Sequence, residues 1–138
     1  MVRNIAGVVV GLFVGSVANM ALIFANMALF PAPPDLDIMD PEAFAAYAAG
    51  LPDTAFILPM VAHLAQAFIG GWVAARIGAS RPVLLALIVG VLSLVGGVLN
   101  MMNFPDAPIW MWAEMPGYLA VAWAAGTLEQ RRRAGQQT

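Results

Sequence analysis

The sequence predicts an all-α fold: a polytopic membrane protein built as a bundle of four transmembrane helices. Of its 138 residues, 62% are hydrophobic and only 10% are charged, whereas about 25% of the residues in an ordinary soluble domain are charged. The mean hydropathy is +0.82. Four apolar stretches each come close to or exceed the roughly 20 residues that cross a bilayer as a helix. We therefore expect a single transmembrane domain over residues 1–138.

Prolines, glycines and charges separate the predicted spans. The spans are about 4–30, 54–77, 82–104 and 108–128, with a long outer loop at 31–53 and a cytoplasmic tail at 129–138. The first apolar run is far longer than the roughly 7–15 residues of a cleaved signal, so we expect it to be retained. In the outer loop, Asp40, Pro41 and Glu42 form a typical helix start. They predict a short helix over 41–49 that lies at the membrane interface.

The distribution of charge predicts the orientation of the chain. With four spans, the basic residues all lie on one side of the membrane, namely Arg3, Arg76, Arg81, Arg131, Arg132 and Arg133. The loop acids all lie on the other side, namely Asp35, Asp37, Asp40, Glu42, Asp53 and Asp106. The positive-inside rule places the arginine side in the cytoplasm. We expect a multi-pass protein of the bacterial cytoplasmic (inner) membrane with both termini in the cytoplasm.

Small residues predict where helices approach one another closely. Glycine recurs every four residues along the first span, a spacing that lets a second helix pack against that face. Two glycine pairs lie in the second and third spans. The expected helix-packing positions are Gly7, Gly11, Gly15, Gly70, Gly71, Gly96 and Gly97.

An internal echo relates the two halves of the chain. Residues 14–20 (VGSVANM) resemble residues 95–101 (VGGVLNM), and Ala62-His63 aligns with Ala113-Glu114. Such a repeat makes each half a helical hairpin, the two being related by an axis along the membrane normal. It also places His63 and Glu114 at equivalent positions, about 20 Å from the inner ends of their helices.

His63 and Glu114 form a candidate intramembrane polar site, with Gln66, Asn19, Asn100 and Tyr118 as its expected polar neighbours. Ionisable side chains within spans are costly and usually face the bundle interior, where they mark a proton, ion or ligand site. A second interpretation stays open. His63 is then a hydrogen-bonded packing residue, and Glu114, only about 9 Å from the start of its helix, meets interfacial water.

The sequence excludes several classes of function. It has no cysteine, so disulfides and thiolate metal sites are excluded. One histidine with one carboxylate provides too few ligands for a typical metal site. A net charge of −2 argues against a basic nucleic-acid binder. No phosphate loop or HExxH run is present. We expect no enzyme, no metal and no cofactor.

Two functional hypotheses remain. We favour a non-catalytic accessory or self-associating bundle, whose partners are the lipid bilayer and either a second copy or another membrane protein. The alternative is a small proton-coupled transporter or channel that uses His63 and Glu114.

Four segments carry a resemblance to known sequences. They are PPDLDIMDPEAFAAY at 33–47, AHLAQAFIGGWVAARIG at 62–78, VGGVLNMMNFPDAPIW at 95–110 and YLAVAWAAG at 118–126. In these segments the chain resembles a group of small, uncharacterised four-span bacterial integral membrane proteins. The resemblance implies membrane location and fold, and it implies no activity and no site residues.

Overall fold

The computed structural model describes residues 1–103 and 107–136, and this part of the chain contains five α-helices. They are α1 (Val2–Leu29), α2 (Pro41–Ala49), α3 (Ile57–Ile77), α4 (Pro82–Asn103) and α5 (Glu114–Ala134). Short 3₁₀ helices at Asp53–Phe56 and Ile109–Ala113 lead directly into α3 and α5. The prediction of an all-helical fold is confirmed.

Three helical stretches are long and apolar enough to cross a membrane, and they indicate a membrane protein. They are Val2–Leu29, Asp53–Ile77 and Pro82–Asn103, which correspond to the first three predicted spans. Phe104, the last residue of the predicted third span, lies outside the described residues. Helix α5 is not among the three, because Glu114 at its start and arginines in its last turn shorten its apolar part. It continues to Ala134, so the beginning of the predicted tail is helical.

Helix α3 lies at the centre of the bundle and packs against α1, α4 and α5. The residue pairs in contact show that α1 is antiparallel to α3, since Gly7 faces Ala74 while Gly15 faces Gln66. Helix α4 is antiparallel to α3, and α5 is parallel to α3. The four long helices therefore alternate in direction along the chain.

Glycine lets the backbones of α1 and α3 touch. A Cβ atom added at Gly7 would lie 2.8 Å from the carbonyl oxygen of Ala74, and one at Gly11 would collide with the carbonyl oxygen of Gly70. Real Cβ atoms do not approach backbone oxygen so closely, so a larger residue must push the helices apart. The predicted packing role of the α1 glycines agrees with this geometry.

The prediction that Gly96 is a helix-packing position is wrong. It is exposed, and an added Cβ would meet nothing within 4 Å. Its neighbour Gly97 is buried instead, with the Cζ atom of Tyr118 only 2.7 Å from an added Cβ. The sequence echo aligned Gly15 with Gly96, but one residue along a helix turns the side-chain direction by about 100°. The register of the echo is therefore displaced by one residue on α4.

The contact between α4 and α5 uses glycines that the sequence analysis did not select. A Cβ at Gly90 would lie 2.6 Å from the Cβ of Ala122, and one at Gly126 would lie 2.6 Å from the Cα of Val83. These glycines lack the regular spacing seen in α1, so the pattern alone did not single them out.

Glu129 and Arg133 tie the end of α5 to the end of α3 and the turn that follows it, since Glu129 Oε2 lies 3.6 Å from Nη1 of Arg76. Its side chain is fully buried, and it accepts hydrogen bonds from Arg132 at 2.7 and 2.6 Å and from Arg133 at 3.0 Å. Arg133 also donates to the carbonyl oxygen of Gly78 at 2.8 Å. Hydrogen bonds from Arg132 and Arg133 outweigh the opposing effect of burial and lower the pKa of Glu129 to about 2.

The start of α1 meets the same turn. Arg3 donates from Nε to the carbonyl oxygen of Ile77 at 2.6 Å, and Asn4 Oδ1 accepts from the backbone N–H of Ala79 at 2.8 Å. The start of α1, the α3–α4 turn and the end of α5 therefore share one end of the bundle. We call it the arginine end, after Arg3, Arg76, Arg81, Arg131, Arg132 and Arg133.

Helix α2 lies at the opposite end. The side chain of Asp40 accepts from the backbone N–H of Glu42 at 3.0 Å, as the predicted helix start requires. The hydroxyl of Tyr47 donates to the carbonyl oxygen of Phe30 at 3.0 Å, which holds α2 against the end of α1. The predicted helix over 41–49 is confirmed. We call this the acidic end, after the exposed Asp35, Asp37, Asp40, Glu42 and Asp53.

Replacing Gly11 by alanine should weaken the α1–α3 contact. We expect Gly11→Ala to destabilise the fold by about 1–3 kcal/mol, the usual cost of overpacking, and to lower the melting temperature in detergent. The matched control is Gly96→Ala, which should be neutral or stabilise by up to about 1 kcal/mol because alanine favours the helix. Equal melting temperatures for the two variants would contradict the close contact.

The stability of the arginine end should depend on pH. The pKa of Glu129 is lowered from 4.5 to about 2. The ionised side chain therefore contributes fully to the stability of the fold above about pH 4.5, and this contribution disappears as the pH falls towards about 2. By linkage this contribution is at most about 3 kcal/mol. We expect Glu129→Gln to flatten the fall in melting temperature below about pH 5. A control variant, Glu42→Gln at the exposed start of α2, should keep the wild-type dependence of melting temperature on pH.

Candidate functional site

A buried carboxylate lies at the start of α5. The side chain of Glu114 has no exposed surface. Nδ1 of His63 lies 3.3 Å from its Oε1 and 3.2 Å from its Oε2. The hydroxyl of Tyr118 donates to Oε1 at 3.3 Å. The carboxylate is therefore held from two helices, α3 and α5.

Local structure explains this arrangement. The 3₁₀ helix Ile109–Ala113 delivers Glu114 into the bundle at the first turn of α5, and Tyr118 follows one helical turn later on the same face. Gly97 on α4 leaves room for the ring of Tyr118. The site thus depends on the imidazole of His63 from α3, the carboxylate of Glu114 from α5 and the small size of Gly97 on α4.

The bond to Glu114 determines which nitrogen of His63 carries hydrogen. A deprotonated carboxylate only accepts hydrogen bonds, so a neutral imidazole bonded through Nδ1 carries its hydrogen there and leaves Nε2 as an acceptor. In this state the pair has a net charge of −1, and one added proton makes it neutral. An unpaired buried charge is costly, and the hydrogen bonds from His63 and Tyr118 offset that cost for the carboxylate of Glu114.

His63 also borders a cavity of about 420 Å³, which extends from α2 towards the bundle interior. The side chain of His63 is 14% exposed whereas Glu114 is sealed behind it. Most of the wall is apolar, with Asn19, Asn26 and Asn100 as its amide side chains. The apolar part includes Met20, Ile23, Met27, Phe30, Phe44, Tyr47, Leu51, Phe56, Pro59, Met101 and Met111.

The six residues of the predicted site fall into two bonded groups and one wall residue. His63, Glu114 and Tyr118 form the first group. Asn19 Nδ2 donates to Gln66 Oε1 at 2.6 Å, so the second group joins α1 to α3. Asn100 contributes to the cavity wall.

Sequence reasoning did not place Asn26 at the site. Its Oδ1 atom is buried, with no hydrogen-bond donor in the described part of the chain, and the residue lines the cavity. Asn26 follows Asn19 by two helical turns, and this spacing puts both amides on one face of α1. The cavity itself depends on how α2 folds back, which no spacing reveals.

Comparison with known protein families, curated proteins and solved structures gives no match. The resemblance to four-span bacterial membrane proteins therefore stays a prediction. Within the described residues, no group of three histidine, aspartate or glutamate side chains is placed to hold a metal ion.

Removing one member of the buried pair should cost more than removing both. We expect His63→Ala to destabilise the fold by about 3–5 kcal/mol at neutral pH, because it leaves a buried charge with only Tyr118 as partner. Adding Glu114→Gln removes that charge, so the double variant should be more stable than the sum of the single effects predicts. Melting temperatures of the four proteins in detergent test this cycle. Strict additivity would contradict coupling between the two side chains.

Proposed function

We propose that the chain is a small proton-coupled membrane transporter, with His63 and Glu114 as its proton-binding pair. One observation carries this proposal: a fully buried carboxylate is bonded to a histidine that borders a cavity of about 420 Å³. We propose no enzymatic chemistry and no cofactor.

The proposal includes a fourth span over 108–128. Two contacts support it. At one end of α5 Glu114 meets His63, and at the other Arg133 meets Gly78 in the turn after α3. From Glu114 to Glu129 an α-helix rises about 22 Å, so α5 lies beside α3 over most of the length of that helix. With His63 as partner, the charge of Glu114 does not prevent insertion of this segment.

The proposal also includes an orientation, with the arginine end in the cytoplasm of a bacterial cell and both termini on that side. The described arginines and loop acids gather at opposite ends of the bundle, which supports this use of the positive-inside rule. Helix α2 then lies at the outer membrane interface. The cavity below it would receive a solute from outside.

In the proposed mechanism the pair alternates between two charge states. With one proton bound, His63 and Glu114 form an ion pair with no net charge, in which each charge compensates the other inside the bundle. Loss of that proton leaves a net negative charge next to the cavity. A solute that prefers one state therefore becomes coupled to the proton by linkage.

A second candidate is the non-catalytic accessory or self-associating bundle. It is supported by α1, whose buried residues in the monomer are only Gly7, Gly11 and Gly15. The remaining faces carry large exposed apolar side chains such as Phe13 and Phe24. Lipid covers such a face in a monomer, and a second helix covers it in a complex.

Proton flux in reconstituted vesicles tests the proposal. With a pH-sensitive dye inside phosphatidylcholine–phosphatidylglycerol vesicles, the wild-type protein should dissipate an imposed pH gradient faster than empty vesicles do. His63→Ala and Glu114→Gln should reduce this rate to that of empty vesicles, because each removes the proton-binding pair. Glu129→Gln, a buried carboxylate at the arginine end, is the matched control and should keep the wild-type rate.

Two results would contradict the proposal. One is a wild-type rate equal to that of empty vesicles, and the other is an undiminished rate in both site variants. Either result, together with a stable dimer or a co-purifying membrane protein in mild detergent, would favour the accessory bundle.

A further inference from the structure

We infer that the cavity between α1, α2 and α3 binds a lipophilic organic cation, and that this cation and a proton compete for the His63–Glu114 pair. The inference rests on the proposed function and names the class of its substrate. It is carried by the shape of the cavity, the chemistry of its wall and the charges around it.

The wall selects a mainly apolar molecule. A volume of about 420 Å³ lies in the range of small-molecule sites, about 300–1,000 Å³. Aromatic side chains line it near α2, including Phe30, Phe44 and Tyr47, and methionines line it deeper. Aromatic faces attract cations, and methionine adapts to ligands of irregular shape.

The charges select a cation over an anion. None of the described residues that line the cavity is an arginine or a lysine. The exposed carboxylates of the acidic end lie on the loop and helix beside the cavity, and such a field concentrates cations and repels anions. Inside, the buried Oδ1 of Asn26 is an acceptor without a donor among the described residues. An uncompensated acceptor of this kind suits a positively charged ligand.

The pair supplies the deepest negative charge. Glu114 does not reach the cavity directly, because its side chain is sealed while His63 borders the space. With His63 neutral, the pair carries one negative charge in a region of low dielectric, where charge interactions are strong. A proton on the pair removes this charge. A bound cation and a bound proton therefore exclude each other electrostatically.

Few other groups can disturb this competition. The titratable side chain that faces Glu114 from its own helix is Tyr118, and the one from α3 is His63. Helix α4 contains no charged residue, and the charged residue of α1 is Arg3, which binds Ile77 at the far end of the bundle.

Tetraphenylphosphonium is a suitable probe, and tetraphenylborate is its anionic counterpart of nearly equal size. With the purified full chain in detergent, equilibrium dialysis should show saturable binding of the phosphonium and none of the borate. As the pH falls, the apparent Kd of the phosphonium should rise by up to about tenfold per pH unit, because one proton competes with one cation. Binding in weak buffer should release up to one proton per cation.

Four variants make the test specific. Glu114→Gln should weaken phosphonium binding by about tenfold or more and abolish its pH dependence, because the negative charge is gone. Ala48→Trp on α2 should block the cavity and reduce binding without changing the pair. Glu129→Gln should bind like the wild type, and Gly96→Ala provides a second control if Glu129→Gln is unstable.

Equal binding of the two ions, or phosphonium binding that is unchanged in Glu114→Gln, would overturn the inference. The outcome also separates this inference from the proposed function. If phosphonium binding depends on Glu114 but no proton flux is seen, the cation site is supported and the transporter proposal is contradicted. If proton flux depends on the pair but the phosphonium does not bind, the transporter proposal is supported and the cation site is contradicted.

Discussion

The structure depends on keeping the carboxylate of Glu114 paired inside an apolar bundle. An isolated carboxylate cannot be buried at acceptable cost, so α3 must bring His63 within 3.2 Å and α5 must add Tyr118 one turn later. This requirement sets the register of α5 against α3. It also explains why α4 has glycine at position 97, since any side chain there would displace the Tyr118 ring. One buried charge thereby constrains three helices.

Close helix packing makes this pairing possible. Membrane helices associate without a hydrophobic driving force, and small residues let their backbones touch. Here α1 lies against α3 through Gly7, Gly11 and Gly15, while Ala122 and Gly126 play the same part between α5 and α4. At the arginine end, Glu129 pairs with Arg76 on α3 and Arg133 donates to Gly78 in the α3–α4 turn. The bundle is thus anchored by charge at both ends of α5 and packed by small residues between them.

Much of the fold was predictable, and the site was predictable in part. The apolar runs predicted four membrane-crossing helices, and three of these are long and apolar enough to cross a membrane. The Asp40-Pro41 start predicted α2, and both predictions depend on local chemistry. The meeting of His63 and Glu114 matched the repeat that the sequence suggested, whereas the register of that repeat failed at Gly96. A difference of one residue is small in sequence but about 100° around a helix. The cavity and the role of Asn26 were missed because both depend on where α2 folds back.

The sequence by itself determined the helical class, three segments long and apolar enough to cross a membrane and the separation of the arginines from the loop acids, because hydropathy and charge act residue by residue. It also marked His63 and Glu114 as the costly groups in the apolar runs. Tertiary structure alone decided that Glu114 is sealed while His63 borders a cavity, and that Tyr47 holds α2 over that space. Those relations join residues far apart in the chain. They follow from the packing and rotation of whole helices, and the local sequence does not encode them one residue at a time.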